Sequence, residues 1–207
     1  MQHPDEPTSA VGEGPEERVI LVDEQDRPRG SAGKLAAHRD GGLLHRAFSV
    51  FLFDDDGRML LQQRAATKYH FPLLWTNACC GHPRPGEALI PAAQRRLREE
   101  LGVSVGLEAV FAFLYSAQDE GTALSEREYD HVLVGRLVSN PRPAAEEVAA
   151  LEWREISELA PDVARRPARY TPWFRIALPE LLRRLPAATP LRAGALASHV
   201  SDLKPGR

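Results

Sequence analysis

The chain has 207 residues, 43% of them hydrophobic and 27% charged, which suits one domain with a real core and leaves too little length for two full ones. Its 26 basic and 29 acidic side chains leave a formal charge of -3, so composition offers neither a nucleic-acid footprint nor the acidic excess of a disordered chain. Residues 1–17 hold five acids and no Lys or Arg, residues 186–207 hold three bases and one acid, and residues 18–185 therefore balance at zero. Any function that depends on charge must lie in a local site.

Residues 1–17, rich in Pro, Gly, Glu and Ser, cannot bury enough apolar surface to order themselves and are expected to be a disordered lead. Glu17 to Asp23 reads as a first strand, Gln25 to Gly30 as a turn, and Lys34 to Asp40 as a short helical or irregular stretch. Arg46 to Phe53 and Arg58 to Arg64 are dense in β-formers and flank Asp54–Gly57, a hairpin signal. Leu73 to Gly81 predicts one further strand entering a turn. Residues 88–101 carry Leu89, Ala92, Ala93, Leu97 and Leu101 on one helical stripe, stopped by Gly102, with Pro91 tolerable only in the first turn. Leu107 to Ala117 and Glu128 to Val138 predict two strands. A short strand and helix are expected within 146–159, then a last helix from Tyr170 to Leu185 interrupted or kinked at Pro179, and a mobile tail over 186–207. Strands and helices without strict alternation predict an α/β (α+β) sandwich around 18–185 rather than a doubly wound sheet.

Cys79 and Cys80 are adjacent and are the two cysteines of the chain, which excludes a disulfide framework. The first residues lack a basic and apolar leader, and nowhere do 18 apolar residues run together. A cytoplasmic protein without membrane or nucleic-acid partners, a monomer or weak homodimer, is expected. Of the 26 bases only three are Lys, which draws attention to Lys34 and Lys68 within the central region.

The strongest motif runs from Gly81 to Val103, G-x5-E-x7-R-R-L-R-E-E-L-G-V, and resembles the Nudix box, a loop-helix-loop whose carboxylates hold a divalent cation on a diphosphate. The box normally has Glu directly after its Arg, and here that position is Arg96. A guanidinium in place of a metal carboxylate turns the helix toward gripping phosphate. Elsewhere, Glu126 and Glu128 would share one face of a strand. With His38, His45 and His82 they form a donor set that suits Mn²⁺ or Zn²⁺ better than Ca²⁺.

W-T-N-A-C-C-G-H-P (Trp75 to Pro83), preceded by K-x3-H-x6-H (Lys34, His38, His45) and followed by S-E-R-E-Y-D, closely resembles type 1 isopentenyl-diphosphate isomerase, over about residues 17–185. That resemblance implies a Nudix-type α/β/α sandwich with a central mixed sheet, acting on a prenyl diphosphate. It implies a catalytic thiol at Cys80, directly before Gly-His-Pro, leaving Cys79 a packing role. Glu128 would stand across the substrate from Cys80 and also touch the metal, Tyr115 would hydrogen-bond near it, and Trp173 would offer its ring to a carbocation. Lys34, Arg64, Lys68 and Arg96 would bind the diphosphate, with Mg²⁺ held by Glu100 and the carbonyl of Cys80. The competing expectations are a Nudix hydrolase of a nucleoside or prenyl diphosphate, and a silent module that only holds diphosphates.

Overall fold

A run of Phe, Val and Leu with little polar alternation suits a strand covered on both faces, and β3 (His45–Phe53) is such a strand, buried along nearly its whole length. The computed structural model describes residues 17–185, so the expected mobile tail and the expected lead, apart from Glu17, lie outside the described residues. Because successive side chains of a strand point to opposite faces, Phe51 and Phe53 enter one hydrophobic cluster while Phe48, Val50 and Leu52 enter another.

Along one edge of β3 runs β8 (Ser125–Arg136), parallel, from His45 opposite Glu128 to Phe53 opposite Arg136. β7 (Leu107–Gln118) continues the sheet antiparallel to β8. The other edge of β3 is shared. β6 (Cys79–Gly81) sets Cys80 opposite Ser49, and β4 (Met59–Arg64) pairs only at Leu52–Leu60 and Phe53–Met59. β9 (Val148–Arg154) and β5 (Trp75–Thr76) pair antiparallel to β4. β1 (Arg18–Val22) meets β3 at Leu21–His45 and pairs with β2 (Pro28–Gly33).

On one face lies α2 (Leu89–Leu101), whose Ala92, Ala93, Leu97 and Leu101 are fully buried. Pro91 sits in its first turn, and Gly102 ends it at φ +65°, a left-handed conformation that favours glycine. On the other face, α3 (Ile156–Arg165) and α4 (Pro172–Arg184) deliver Leu159, Phe174, Ala177, Leu178 and Leu181 to the cluster of Phe51 and Phe53. Two cores on either side of a mixed sheet make the α/β/α sandwich. A short helix, α1 (Lys34–Ala37), closes the N-terminal end of the site.

Four local expectations change. The predicted turn at Gln25–Gly30 ends early, and from Pro28 the chain is strand β2. The residues PRGSAG have poor strand propensity, and pairing with β1 overrides it. The predicted hairpin of β3 and β4 is paired only near its tip, because β6 takes the rest of that edge of β3 and β9 pairs along β4. The predicted strand over Leu73–Gly81 is split into β5 and β6 by Asn77, whose side-chain amide donates to the carbonyls of Val50 and Cys79 at 3.1 and 2.8 Å. Finally, α4 runs unbroken through Pro179, held by the buried side chains beside it.

Gly135 of β8 is the tightest of these backbone contacts, since a Cβ there would come within 2.9 Å of the Gly106 carbonyl oxygen and of Leu107. Gly135→Ala should lower the free energy of unfolding by about 1–3 kcal/mol, read as a reduced urea midpoint with an unchanged slope. An unchanged midpoint would mean that the 105–107 segment yields freely.

Candidate active site and metal centre

Strand alternation separates the two cysteines. Cys79 is fully buried in the cluster under α2, whereas Cys80 turns to the opposite face and lines a pocket with Ser49, Tyr115, Glu128 and Trp173. Its sulfur is surrounded by polar groups. Cys80 Sγ donates to Asn77 Oδ1 at 3.3 Å, and the indole Nε1 of Trp173 donates to Sγ at 3.1 Å. Asn77 is itself fixed by Thr76, which accepts from Thr171 at 2.9 Å. Burial, reinforced by Asp130, pushes the thiol up to about 12, so Cys80 carries its proton at neutral pH.

Glu128 faces the same pocket from β8, beyond the other edge of β3, and accepts a hydrogen bond from the Tyr115 hydroxyl. Burial and the neighbouring Glu126 raise its pKa, but the imidazoles of His45 and His82 outweigh them and hold it below the usual carboxylate value. The two groups thus differ in their proton inventory. One buried thiol is protonated and one buried carboxylate is ionised across a shared space.

Glu128 also belongs to a cluster of donors. The donor atoms of His38, His45, His82 and Glu128 all lie within 4.8 Å of one another, as do those of His38, His70 and Glu126. His38 Nδ1 hydrogen-bonds the Lys34 carbonyl at 2.6 Å and His45 Nδ1 the Leu43 carbonyl at 2.7 Å. A ring nitrogen that donates to a carbonyl leaves the other nitrogen with a lone pair, the arrangement found behind metal-bound histidine. His38 Nε2 then stands 3.0 Å from Glu126 Oε2, and both atoms are buried without a hydrogen-bond partner. Either a proton on His38 Nε2, which the neighbouring Glu126 favours, or a cation bound by both atoms satisfies this contact in a dry site. These residues fit a divalent cation.

The expected phosphate ligands line the pocket: Lys34, Arg64, Lys68 and Arg96. Three of them are matched by acids. Lys34 Nζ is 2.8 Å from Glu17 Oε2, Lys68 pairs with Glu147, and Arg96 bonds Glu100 and reaches Glu147 at 3.1 Å. Arg64 instead donates to the carbonyls of Phe71 and His70, at 3.0 and 2.9 Å, and lies 5.4 Å from the centre of the Trp173 ring. Glu100 stands apart from the donor cluster, buried under Arg96 and Gln62. It joins no group of three metal donors among the described residues.

A NUDIX domain model matches residues 43–174. The isopentenyl-diphosphate Delta-isomerase of Nocardia farcinica is 55% identical over 156 residues, covering 75% of this chain and 89% of that protein. That of Halorhodospira halophila is 49% identical over 160 residues, covering 77% and 91%. The chain belongs to the isopentenyl-diphosphate isomerase family within the NUDIX-domain proteins. A crystal structure of a Deinococcus radiodurans protein shares the fold, with a TM-score of 0.64 at 22% identity over 79% of this chain and 98% of that chain.

Three residues of this isomerase-family site escaped the reading of the sequence. Glu17 stands where the expected lead meets the first strand and carries no motif, yet Lys34 overcomes its burial and holds it down at about 2. Glu147 lay in an acidic run without a motif, and contact with both Lys68 and Arg96 gives it a place. His70 lies between the strands expected at Arg58–Arg64 and Leu73–Gly81, and its place two residues after Lys68 is the available signal.

A cation that binds only the folded protein stabilises it by mass action. Mn²⁺ at a hundredfold excess over its Kd should raise the unfolding free energy by about 2.7 kcal/mol, and His38→Ala should remove the effect. A chelator-stripped protein whose thermal midpoint ignores added Mn²⁺ would contradict the metal centre.

Proposed function

We propose that the chain interconverts isopentenyl and dimethylallyl diphosphates, with Cys80 and Glu128 as the proton-transfer pair. The observation that carries this reading is geometric: Cys80 and Glu128 come from opposite edges of β3 to face one pocket walled by Tyr115 and Trp173, and their opposite proton preferences agree with it. Moving the double bond requires a proton added to the terminal carbon and another lost from the carbon next to the diphosphate-bearing one, through a tertiary carbocation. One member of the pair gives and the other takes, and the reverse direction exchanges them.

Trp173 and Tyr115 form the wall beside this pair, and their burial keeps water from capturing the cation. The Trp173 N–H also fixes the sulfur, so its role includes positioning the thiol. A cation–π contact contributes about 2 kcal/mol, against a barrier reduction of roughly 8–23 kcal/mol in enzymes generally. Placement of donor and acceptor in a preorganised, dry site carries the larger part.

Lys34, Lys68 and Arg96 hold the diphosphate by exchanging internal carboxylates for phosphate oxygens, and Arg64 adds a guanidinium beside them. Glu100, released from Arg96, would then serve with the Cys80 carbonyl toward Mg²⁺ carried by the substrate. Mn²⁺ or Zn²⁺ belongs at the donors of His38, His45, His82, Glu126 and Glu128. Held by these donors, a divalent ion would offset the charge of the paired carboxylates and favour the ionised form of Glu128. Among the described residues no helix is long and apolar enough to cross a membrane, and we assign the enzyme to the cytoplasm.

Incubation with isopentenyl diphosphate and Mg²⁺ in D₂O should place deuterium in the recovered dimethylallyl diphosphate. Release of phosphate without exchange would favour the hydrolase reading instead. Cys80→Ala should lower kcat by roughly 10²–10⁴-fold, while Cys79→Ala keeps kcat within a few-fold. Equal losses would show that the wrong thiol has been chosen.

A further inference from the structure

His70 is buried in the site wall and has no part in the acid–base pair. Its Nε2 lies 2.6 Å from Glu126 Oε1, while the other oxygen of that carboxylate faces His38 Nε2 at 3.0 Å. Nδ1 of His70 is buried with no partner. The tautomer with its proton on Nε2 therefore leaves the bare nitrogen idle and donates to Glu126. One carboxylate is thus gripped on one oxygen by an imidazole and turned with the other toward the donor cluster.

The loop that carries His70 is held rigidly for this task. Arg64 donates to the carbonyls on both sides of the 70–71 junction, and the Phe71 N–H donates to Asp119 Oδ2 at 2.8 Å. Phe71 and Leu73 adopt φ of +46° and +61°, left-handed values that bulky residues take only under constraint. Tyr69 packs on the His70 ring with centroids 4.4 Å apart. These contacts fix the imidazole where Glu126 needs it.

We propose that His70 is a positioning residue of the metal centre, acting through Glu126 rather than binding the ion itself. Carboxylates that ligate metals are themselves commonly oriented by a hydrogen bond, and losing such a partner costs 10- to 100-fold in affinity. The inference rests on the reading that the His/Glu cluster holds a divalent cation.

The test uses the full chain stripped of metal and titrated with Mn²⁺ alone, with free Mn²⁺ read by electron paramagnetic resonance. Pulsed measurements then count the imidazole nitrogens coupled to the bound ion. His70→Leu should raise Kd by about 10- to 100-fold, whereas His70→Gln, whose amide N–H still reaches Oε1, should stay within a few-fold of the parent. The nitrogen couplings should remain those of His38, His45 and His82 in all three proteins. Equal affinities for the Leu and Gln variants would overturn the proposal, and so would a lost nitrogen coupling, which would make His70 a direct ligand. If the parent takes up no Mn²⁺, the metal reading itself falls. If only the variants fail to differ, the metal reading stands without His70. Should the Leu variant not fold, His70→Ala supplies the donor-free comparison.

Discussion

The register between β3 and β8 decides where every reactive group stands. With His45 opposite Glu128, the pleat turns Glu126, Glu128 and Asp130 to the same side as His45, Ala47 and Ser49. On the far edge, Ser49 opposite Cys80 brings the thiol to that side as well. A one-residue slip of β8 on β3 would put Tyr129 where Glu128 now stands, and a like slip of β6 would put Cys79 where Cys80 stands. The apolar residues further along β3 oppose such a slip, because Phe51 and Phe53 belong to one core and Val50 and Leu52 to the other. Packing at one end of the strand thereby secures the chemistry at the other.

A second principle is local neutrality. The central region, 18–185, has equal numbers of acids and bases, and in the pocket Lys68 pairs with Glu147 and Arg96 with Glu100, while Lys34 takes its partner, Glu17, from just outside that region. Buried charges persist only when compensated. A substrate that brings its own anion and its own cation can replace both halves of such pairs without stranding either. Arg96, where the box has an acid, follows the same logic: its guanidinium covers Glu100 and shares Glu147.

The α2 stripe and the shared face of Glu126 and Glu128 on β8 were legible because each rests on a local period of 3.6 or 2. The two cysteines were separated only through a resemblance, and the structure buries Cys79 in a core and turns Cys80 to the pocket. β2 was not, because PRGSAG has no strand propensity and is recruited by β1 through backbone bonds that any residue offers. The break between β5 and β6 depends on one Asn side chain reaching Val50, a contact without local signature. His70 and Glu147 were invisible for a related reason. Each gains its role from a partner more than 50 residues away in sequence.

Arg64 joins parts of the site that otherwise have separate supports. Its Nε and Nη2 are committed to the carbonyls of Phe71 and His70, and its guanidinium carbon lies 5.4 Å from the centre of the indole that meets the Cys80 sulfur. The Nη1 side of the same fork has no hydrogen bond among the described residues. If Arg64 receives a phosphate oxygen there, as proposed, the loop and the indole can stay in place, and the same residue is then a strut between the wall that carries the His/Glu cluster and the thiol. Because linkage is reciprocal, whatever a bound anion would do through this strut to the affinity of the His/Glu cluster for a cation, the cation would do equally to the affinity for the anion.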